Sequence, residues 1–246
     1  MAPANTSTAK YIVIDGIDGG GKGSLFKSLQ DVFPQLPSYS SHESVRLEGV
    51  VGKYFSYTRE PGGTPLGEKL RGMILSDEMS SFSEMCLLLA QRQEVRKRVV
   101  APAFFAGINV LSDRSDSATF AYQIRGRELG HLEKIFWEMR EHMDPFPTLY
   151  LFLDLDPRVA AQRMIGRQAE GPEADKFEKQ NIEFFEKVRK GFIDFASKVD
   201  VPCKYVNAER SKEEVAAEVI EIINQHLGRA IKTPNENVVP ISVHRA

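Results

Sequence analysis

With 246 residues, 42% of them hydrophobic and 27% charged, the chain suits one globular α/β domain with a substantial core. A formal charge of −2 gives no general reason to expect nucleic acid or a membrane surface as partner, so basic residues matter locally or not at all. Cys86 and Cys203 are far apart in apolar surroundings and read as reduced core residues, not as a metal pair or a bridge. Met1 to Ala9 is polar and small, and the longest apolar stretch, Val99 to Leu111, is broken by Pro102, Gly107 and Asn109. Neither a signal peptide nor a membrane span is expected, which points to a soluble, cytoplasmic protein.

Residues 1–9 read as a disordered tail, and 230–246, containing Thr233-Pro-Asn-Glu-Asn237, as a C-terminal extension. Between them, Tyr11 to Ile14 reads as a buried strand and Ser24 to Phe33 as the helix that follows. The turn joining them, Gly16-Ile-Asp-Gly-Gly-Gly-Lys22, matches the phosphate-cradling pattern G-x-x-x-x-G-K. Glycines let successive backbone N–H groups turn inward around a phosphate at a helix N-terminus, and Lys22 adds a positive charge for the β- and γ-phosphates. The next position, where a Ser or Thr hydroxyl normally reaches Mg²⁺, is Gly23, followed by Ser24.

After a polar, Ser-rich connection from Pro34 to Gly52, Tyr54 to Tyr57 reads as a second strand. Thr58-Arg-Glu-Pro-Gly-Gly-Thr64 places a cation and an anion at its end, where parallel α/β sheets carry ligand contacts. Thr64 and Pro65 suit the N-cap and first position of a helix over about 65–75. Ser83 to Phe105 reads as a long helix with Pro102 as a kink or stop. On it Arg96, Lys97 and Arg98 read as a solvated face, while Arg92, flanked by apolar residues, points at something. Ile108 to Asp113 is a strand ending in an aspartate, as the acidic partner of a phosphate loop does.

Leu132 to Met143 has helical periodicity, with Trp137 and the methionines as core or partner contacts, and Pro145 and Pro147 stop it. Leu149 to Asp154 is a buried strand, and Asp156-Pro157 starts a helix carrying Arg163 and Arg167 on one face. Gln168 to Ala174 breaks the period before a long helix from Phe177 to about Val199. This segment reads either as a solvated loop or as a lid, at about 164–176, bringing arginines over transferring phosphates. Lys204 to Asn207 is the last strand, and Ser211 with Glu214 forms a capping box for the terminal helix. The alternation of strands and helices implies a parallel sheet covered on both faces.

In these residues the chain resembles the bacterial-type thymidylate kinases. The resemblance runs from Tyr11 to about Leu227: the loop Asp15 to Lys22, the segment Thr58 to Thr64 with Leu70-Arg71, and Ala90-Gln-Arg92. It continues through Asp113-Arg114, Thr119, Ala121-Tyr-Gln123, Arg163, Arg167, Asp175-Lys-Phe-Glu178 and Phe184-Phe185. It implies a three-layer P-loop NTPase fold over residues 10–229, and transfer of the γ-phosphoryl group of MgATP to dTMP for dTTP biosynthesis. Gly16, Ile17, Asp18, Gly19, Gly20, Gly21, Lys22, Gly23 and Ser24 then hold ATP, with Arg163 and with Asn207-Ala208 beside the adenine. The acceptor falls to Asp18 at the sugar 3′-hydroxyl, Arg59 and Arg114 at its phosphate, Arg92, Leu88 and Thr119 at the base and Tyr122 where a 2′-hydroxyl lies, with Glu60 and Gln123 also among the substrate-binding residues. Lys22, Asp113, Arg114, Arg163 and Arg167 are the residues implied in transfer, Asp113 holding Mg²⁺ through water. A homodimer using a helix face is also implied, for which the Ser83 to Phe105 helix is the candidate; the charge balance leaves nucleic-acid and membrane partners unexpected.

Three positions depart from the family pattern. Gly23 lacks the hydroxyl, Leu88 stands where a phenylalanine usually stacks on thymine, and Ala118 replaces a common serine. Gly19 occupies a position that carries arginine in some relatives, and where it is glycine the lid arginines compensate. A kinase with altered or broadened base preference therefore stays open, as does a nucleotide-binding module that has lost efficient transfer.

Overall fold

The computed structural model describes residues 9–35, 54–168 and 181–229. Its centre is a five-stranded parallel sheet in the order β2-β3-β1-β4-β5. In chain order the strands are β1 (Tyr11–Gly16), β2 (Phe55–Arg59), β3 (Asn109–Asp113), β4 (Leu149–Asp154) and β5 (Cys203–Asn207). Every residue of β1 is buried, and β4 is buried from Leu149 to Leu153, as continuous apolar runs covered on both faces require.

Nine α-helices are described: α1 (Lys22–Val32), α2 (Pro65–Ser76), α3 (Ser81–Val95), α4 (Ala101–Phe105), α5 (Asp116–Thr119), α6 (Glu133–Glu141), α7 (Pro157–Gln168), α8 (Ile182–Lys198) and α9 (Lys212–His226). π-Helical turns over Arg96–Val100 and Phe120–Gly126 extend α3 into α4 and lengthen α5. The caps follow from the sequence: Thr64 Oγ1 accepts from Gly67 N at 2.9 Å, and Ser211 and Glu214 form the expected capping box. Trp137 is half-buried and packs against the core, its ring stacked 5.7 Å from Phe195 and tilted 5.3 Å from Phe120.

Several expectations are corrected. Ala9, two residues before β1, is buried and so is not part of an exposed tail; residues 1–8 and 230–246 lie outside the described residues. Helix α8 begins at Ile182, capped by Asn181 Oδ1 accepting from Phe184 N at 2.9 Å, not at Phe177, which lies outside the described residues. The expected lid lies outside them from residue 169 on, as does the connection over 36–53. Cys86 and Cys203 are free but half-buried, not core. No helix among the described residues is long and apolar enough to cross a membrane.

The largest correction is Arg96, which is fully buried while Lys97 and Arg98 are exposed as expected. Arg96 follows the buried Leu88 and Arg92 at four-residue spacing, so the helix turns it to their buried face, not outward. Its Nη2 pairs with Asp116 Oδ1 at 2.8 Å, and Asp116 also accepts from Tyr150 OH at 2.8 Å and from Arg140 Nε. Asp116 belongs to the helical segment 116–126, which no periodicity announces.

Candidate active site

Strand register places the chemistry along one edge. Asp113 lies opposite Ile14 of β1 on one side and Arg59 of β2 on the other, while Asp154 pairs with Asn207. These are the C-terminal ends of the strands, and strand order reverses direction at β1, so a crevice opens there. A cleft of about 1090 Å³ occupies it, lined by nine Lys and Arg residues against three Asp and Glu. In a chain of net charge −2, that local excess of cations suits a polyanion.

The glycine turn leads from β1 into α1, whose first-turn N–H groups face the cleft. Gly19 has φ +82°, and a Cβ there would stand 2.8 Å from Ala160 O at the start of α7, so no side chain fits. Lys22 Nζ donates to Gly16 O at 2.9 Å and Ile17 O at 3.0 Å, folding the ammonium back over its own loop. Burial and the nearby Arg114 guanidinium push its pKa down, against the pull of Asp18, Asp113 and Asp15.

Arg114 adopts φ +69°, a left-handed conformation that costs a bulky residue on the order of 1–2 kcal/mol. Its N–H donates to Ile14 O at 2.9 Å, and its carbonyl accepts from Ser112 Oγ at 2.7 Å, which holds the turn. The side chain is thereby sent back across β1. Nη1 donates to Gly16 O at 3.0 Å and Asp15 Oδ1 at 3.2 Å, and Nη2 pairs with Asp18. Tyr122 OH donates to Asp18 Oδ2 at 2.8 Å, and its ring centroid lies 5.2 Å from the guanidinium carbon. Burial opposes the charge on Asp18, but Arg114, Lys22 and the Tyr122 hydroxyl outweigh it and lower its pKa; the neighbouring carboxylates raise Arg114 well above its usual value.

Asp15, fully buried, is a residue that sequence reading gave no role. Its Oδ2 accepts from Ser117 Oγ at 2.7 Å and its Oδ1 from Gly16 N at 2.9 Å, so it ties the loop to α5. Burial raises its pKa despite Arg114 and Lys22. Asp113 is different: its Oδ1 is buried and accepts no hydrogen bond among the described residues. A desolvated carboxylate oxygen without a donor, beside a phosphate loop, fits a hydrated cation, so the residues present suit Mg²⁺. Gly23 offers no hydroxyl to assist, and Ser24 is exposed.

At the other end of the cleft, Arg92 is buried although it is a cation, and Nε donates to Thr119 Oγ1 at 2.7 Å while Nη1 pairs with Glu60 Oε2 at 2.8 Å. Glu60 also accepts from Tyr11 OH at 3.3 Å. Leu88 lies one turn before Arg92 on the cleft wall, with Ala118, Tyr122 and Gln123. Arg59, largely exposed, pairs with Glu68 Oε2 at 2.9 Å, and Glu68 Oε1 accepts from Gly63 N at 2.9 Å. A Cβ on Gly62 (φ +125°) would stand 2.6 Å from Glu68 Oε1, so glycine there lets the carboxylate reach both. Glu68 was missed in the sequence, as was Glu84, although Glu84, Leu88 and Arg92 share one helical face by their four-residue spacing.

Most of the expected site residues reach the cleft wall, including the loop from Asp18 to Ser24, Arg59, Arg114, Arg163 and Ala208. Gly16 and Ile17 are buried beneath it, and Thr119 sits behind Arg92. Asn207, at the end of β5, is not on the cleft wall; its Oδ1 accepts from Glu209 N at 2.9 Å. Arg163 Nη1 donates to Ala208 O at 2.9 Å, and Arg167 follows one turn later in α7.

The thymidylate kinase family model matches residues 14–219. A thymidylate kinase of Vibrio parahaemolyticus is 33% identical over 227 residues, covering 90% of this chain and 98% of that protein. One from Paracidovorax citrulli is 36% identical over 223 residues, covering 87% and 92%. The fold is shared with the crystal structure of a thymidylate kinase from Ehrlichia chaffeensis, with a TM-score of 0.64 at 24% identity over 87% of this chain and 98% of that one. A P-loop α/β sheet with this cleft, matched along most of its length by these relatives, has one assignment: the chain belongs to the thymidylate kinase family.

Proposed function

We propose that the protein transfers the γ-phosphoryl group of ATP to dTMP, giving dTDP and ADP, within a domain spanning residues 10–229. The observation that carries this is one continuous cleft lined by the phosphate loop with Lys22, by Arg114 and Tyr122 bonded to its Asp18, and by Leu88 and Arg92.

The reaction needs little covalent help. A bond forms from an oxygen of the dTMP phosphate to the γ-phosphorus as the bond to the β,γ-bridging oxygen breaks, and ADP leaves with that electron pair. The acceptor oxygen is already anionic, so no general base is required. What the chain supplies is position and positive charge. The N–H groups from Gly19 to Ser24 take the triphosphate of ATP, and Lys22 turns from the Gly16 and Ile17 carbonyls to its β- and γ-phosphates. Arg114 and Arg59 hold the acceptor phosphate. Asp18, placed by Arg114 and Tyr122, accepts the sugar 3′-hydroxyl, and the Tyr122 ring fills the space a 2′-hydroxyl needs. Arg92, set by Glu60 and Thr119, meets the base edge over Leu88, with Gln123 beside it.

Asp113 would hold Mg²⁺, through water, and the ion would offset charge on the β- and γ-phosphates. Arg163 and Arg167 come from the lid side, with Asn207 and Ala208 at the adenine. The enzyme works in the cytoplasm as a homodimer paired through the α3 face, a pairing supported by half-exposed Phe82 and Met73 on neighbouring helices. Light scattering that shows a monomer at micromolar concentration removes the dimer.

The decisive experiment supplies dTMP, dUMP, dGMP, dCMP and dAMP separately with MgATP and compares kcat/KM for ADP formation. A strong preference for dTMP is expected. Comparable rates on another base would make Leu88, in place of an aromatic ring, the cause of a broadened preference; no turnover with ATP binding intact would mark a binding module.

A further inference from the structure

Gln123 on the cleft wall is the inner end of a chain of three polar residues, with Glu84 and Arg127 behind it. Arg127 Nε donates to Glu84 Oε1 at 3.0 Å and its Nη2 to Oε2 at 3.4 Å, gripping the carboxylate with both arms of the guanidinium. Gln123 Nε2 donates to the same Glu84 Oε1 at 3.1 Å. Glu84 is 2% exposed and Gln123 1%, so water does not compete for these groups. Gln123 borders the cleft, and its Oε1 is buried with no hydrogen-bond partner among the described residues. A buried acceptor left unpaired is unfavourable unless a ligand donor meets it.

A glutamine amide is nearly symmetric in shape, so turning it by half a revolution exchanges donor and acceptor at no steric cost. Glu84 removes that freedom. A carboxylate facing a guanidinium has only lone pairs to offer, so an inverted Gln123 would set oxygen against oxygen in a dry site.

We propose that Glu84, gripped by Arg127, is a positioning residue that makes the acceptor site select pyrimidines carrying a proton on N3, because it forces Gln123 to present Oε1. The inference rests on the thymidylate kinase reading and adds to it the origin of its discrimination against cytosine. Thymine and uracil offer N3–H to Gln123 Oε1 and a carbonyl at C4 to Arg92, whose Nη2 makes no hydrogen bond among the described residues. Cytosine offers a lone pair at N3 and an amino group at C4, so it meets acceptor with acceptor and donor with donor.

The test measures kcat/KM for dTMP, dUMP and dCMP in the wild-type protein, Glu84→Gln, Gln123→Met and the double variant. Glu84→Gln lets the amide invert, and the dTMP:dCMP ratio falls about tenfold or more, while the dTMP:dUMP ratio stays within about twofold because both bases carry N3–H. Gln123→Met lowers the dTMP:dCMP ratio too, and adding Glu84→Gln to it changes nothing further, as for a residue acting through Gln123. A parallel fall on all three substrates with both ratios kept, or an effect that adds fully to Gln123→Met, overturns the lock. If Glu84→Gln does not fold, Arg127→Lys keeps the charge but loses the two-armed grip; an unchanged dTMP:dCMP ratio there also overturns it. A wild-type protein that phosphorylates none of the three refutes the functional reading, and the same ratios taken from equilibrium binding then decide the lock separately.

Discussion

The buried Arg96–Asp116 pair makes a sharp prediction about stability. Asp116 is fully buried and receives Arg96 Nη2 and Tyr150 OH, both at 2.8 Å, together with Arg140. Asp116→Ala leaves Arg96, itself 0% exposed, without its direct counterion in a dry interior, since Glu60, which also acts on it, is already paired with Arg92. Removing one member of such a pair costs about 3–5 kcal/mol, because the remaining ion keeps its desolvation penalty. For a domain of this size that corresponds to roughly 6–20 °C in Tm, at about 2–4 °C per kcal/mol. The single tryptophan, Trp137, stacks in the same cluster, with Arg140 5.6 Å above its ring, so its fluorescence reports unfolding there. Urea titration should show the midpoint falling with an unchanged slope. A loss under about 1 kcal/mol, the range of an exposed pair, would refute the reasoning. The pH dependence has a definite sign. Burial opposes the charge on Asp116, but Arg96 and then Arg140 overcome it and hold the carboxyl far below its usual range. Its contribution is fully present above the unfolded value of about 3.9 and is lost as pH falls through the depressed folded value, so wild-type and variant stabilities converge on acidification.

Other outcomes follow from single contacts. Gly19→Ala drives a Cβ to 2.8 Å from Ala160 O at a positive φ, so ATP affinity by calorimetry drops about tenfold or more; unchanged affinity contradicts the loop geometry. Glu68→Ala frees Arg59 and Gly63, so KM for dTMP rises several-fold while inhibition by thymidine, which has no phosphate, is unaffected; equal losses for both ligands would show a role beyond Arg59. Gly23→Ser has open space, with nothing within 4 Å of the new Cβ, so it folds normally and changes turnover less than about tenfold from a rate of roughly 1–100 per second. A large gain from a negligible starting rate would instead identify the natural chain as a degenerate binder.

What the sequence disclosed divides along physical lines. Strand β1 and its loop were legible because an uninterrupted apolar run and closely spaced glycines have few other uses, and the capping signals at Thr64 and Ser211 are local in the chain. The helical segment 116–126 was not, because Asp116, Ser117, Thr119 and Gln123 are all buried, so polarity there marks the interior and the amphipathic pattern fails. Arg96 was misread because its counterion sits on that unseen segment and because the exposed Lys97 and Arg98 beside it mask its four-residue spacing from the buried Leu88 and Arg92. Glu84 could have been found, since it shares a helix face with Leu88 and Arg92. Glu68 depends on a turn geometry that only the folded chain displays.

The central claim is that phosphoryl transfer joins the two ends of one cleft, and it is tested most directly by following the label from γ-³²P-ATP in the presence of dTMP and Mg²⁺. Label appearing in dTDP in step with ADP is the predicted result. Label released as inorganic phosphate, or retained in ATP while both nucleotides bind, would contradict it.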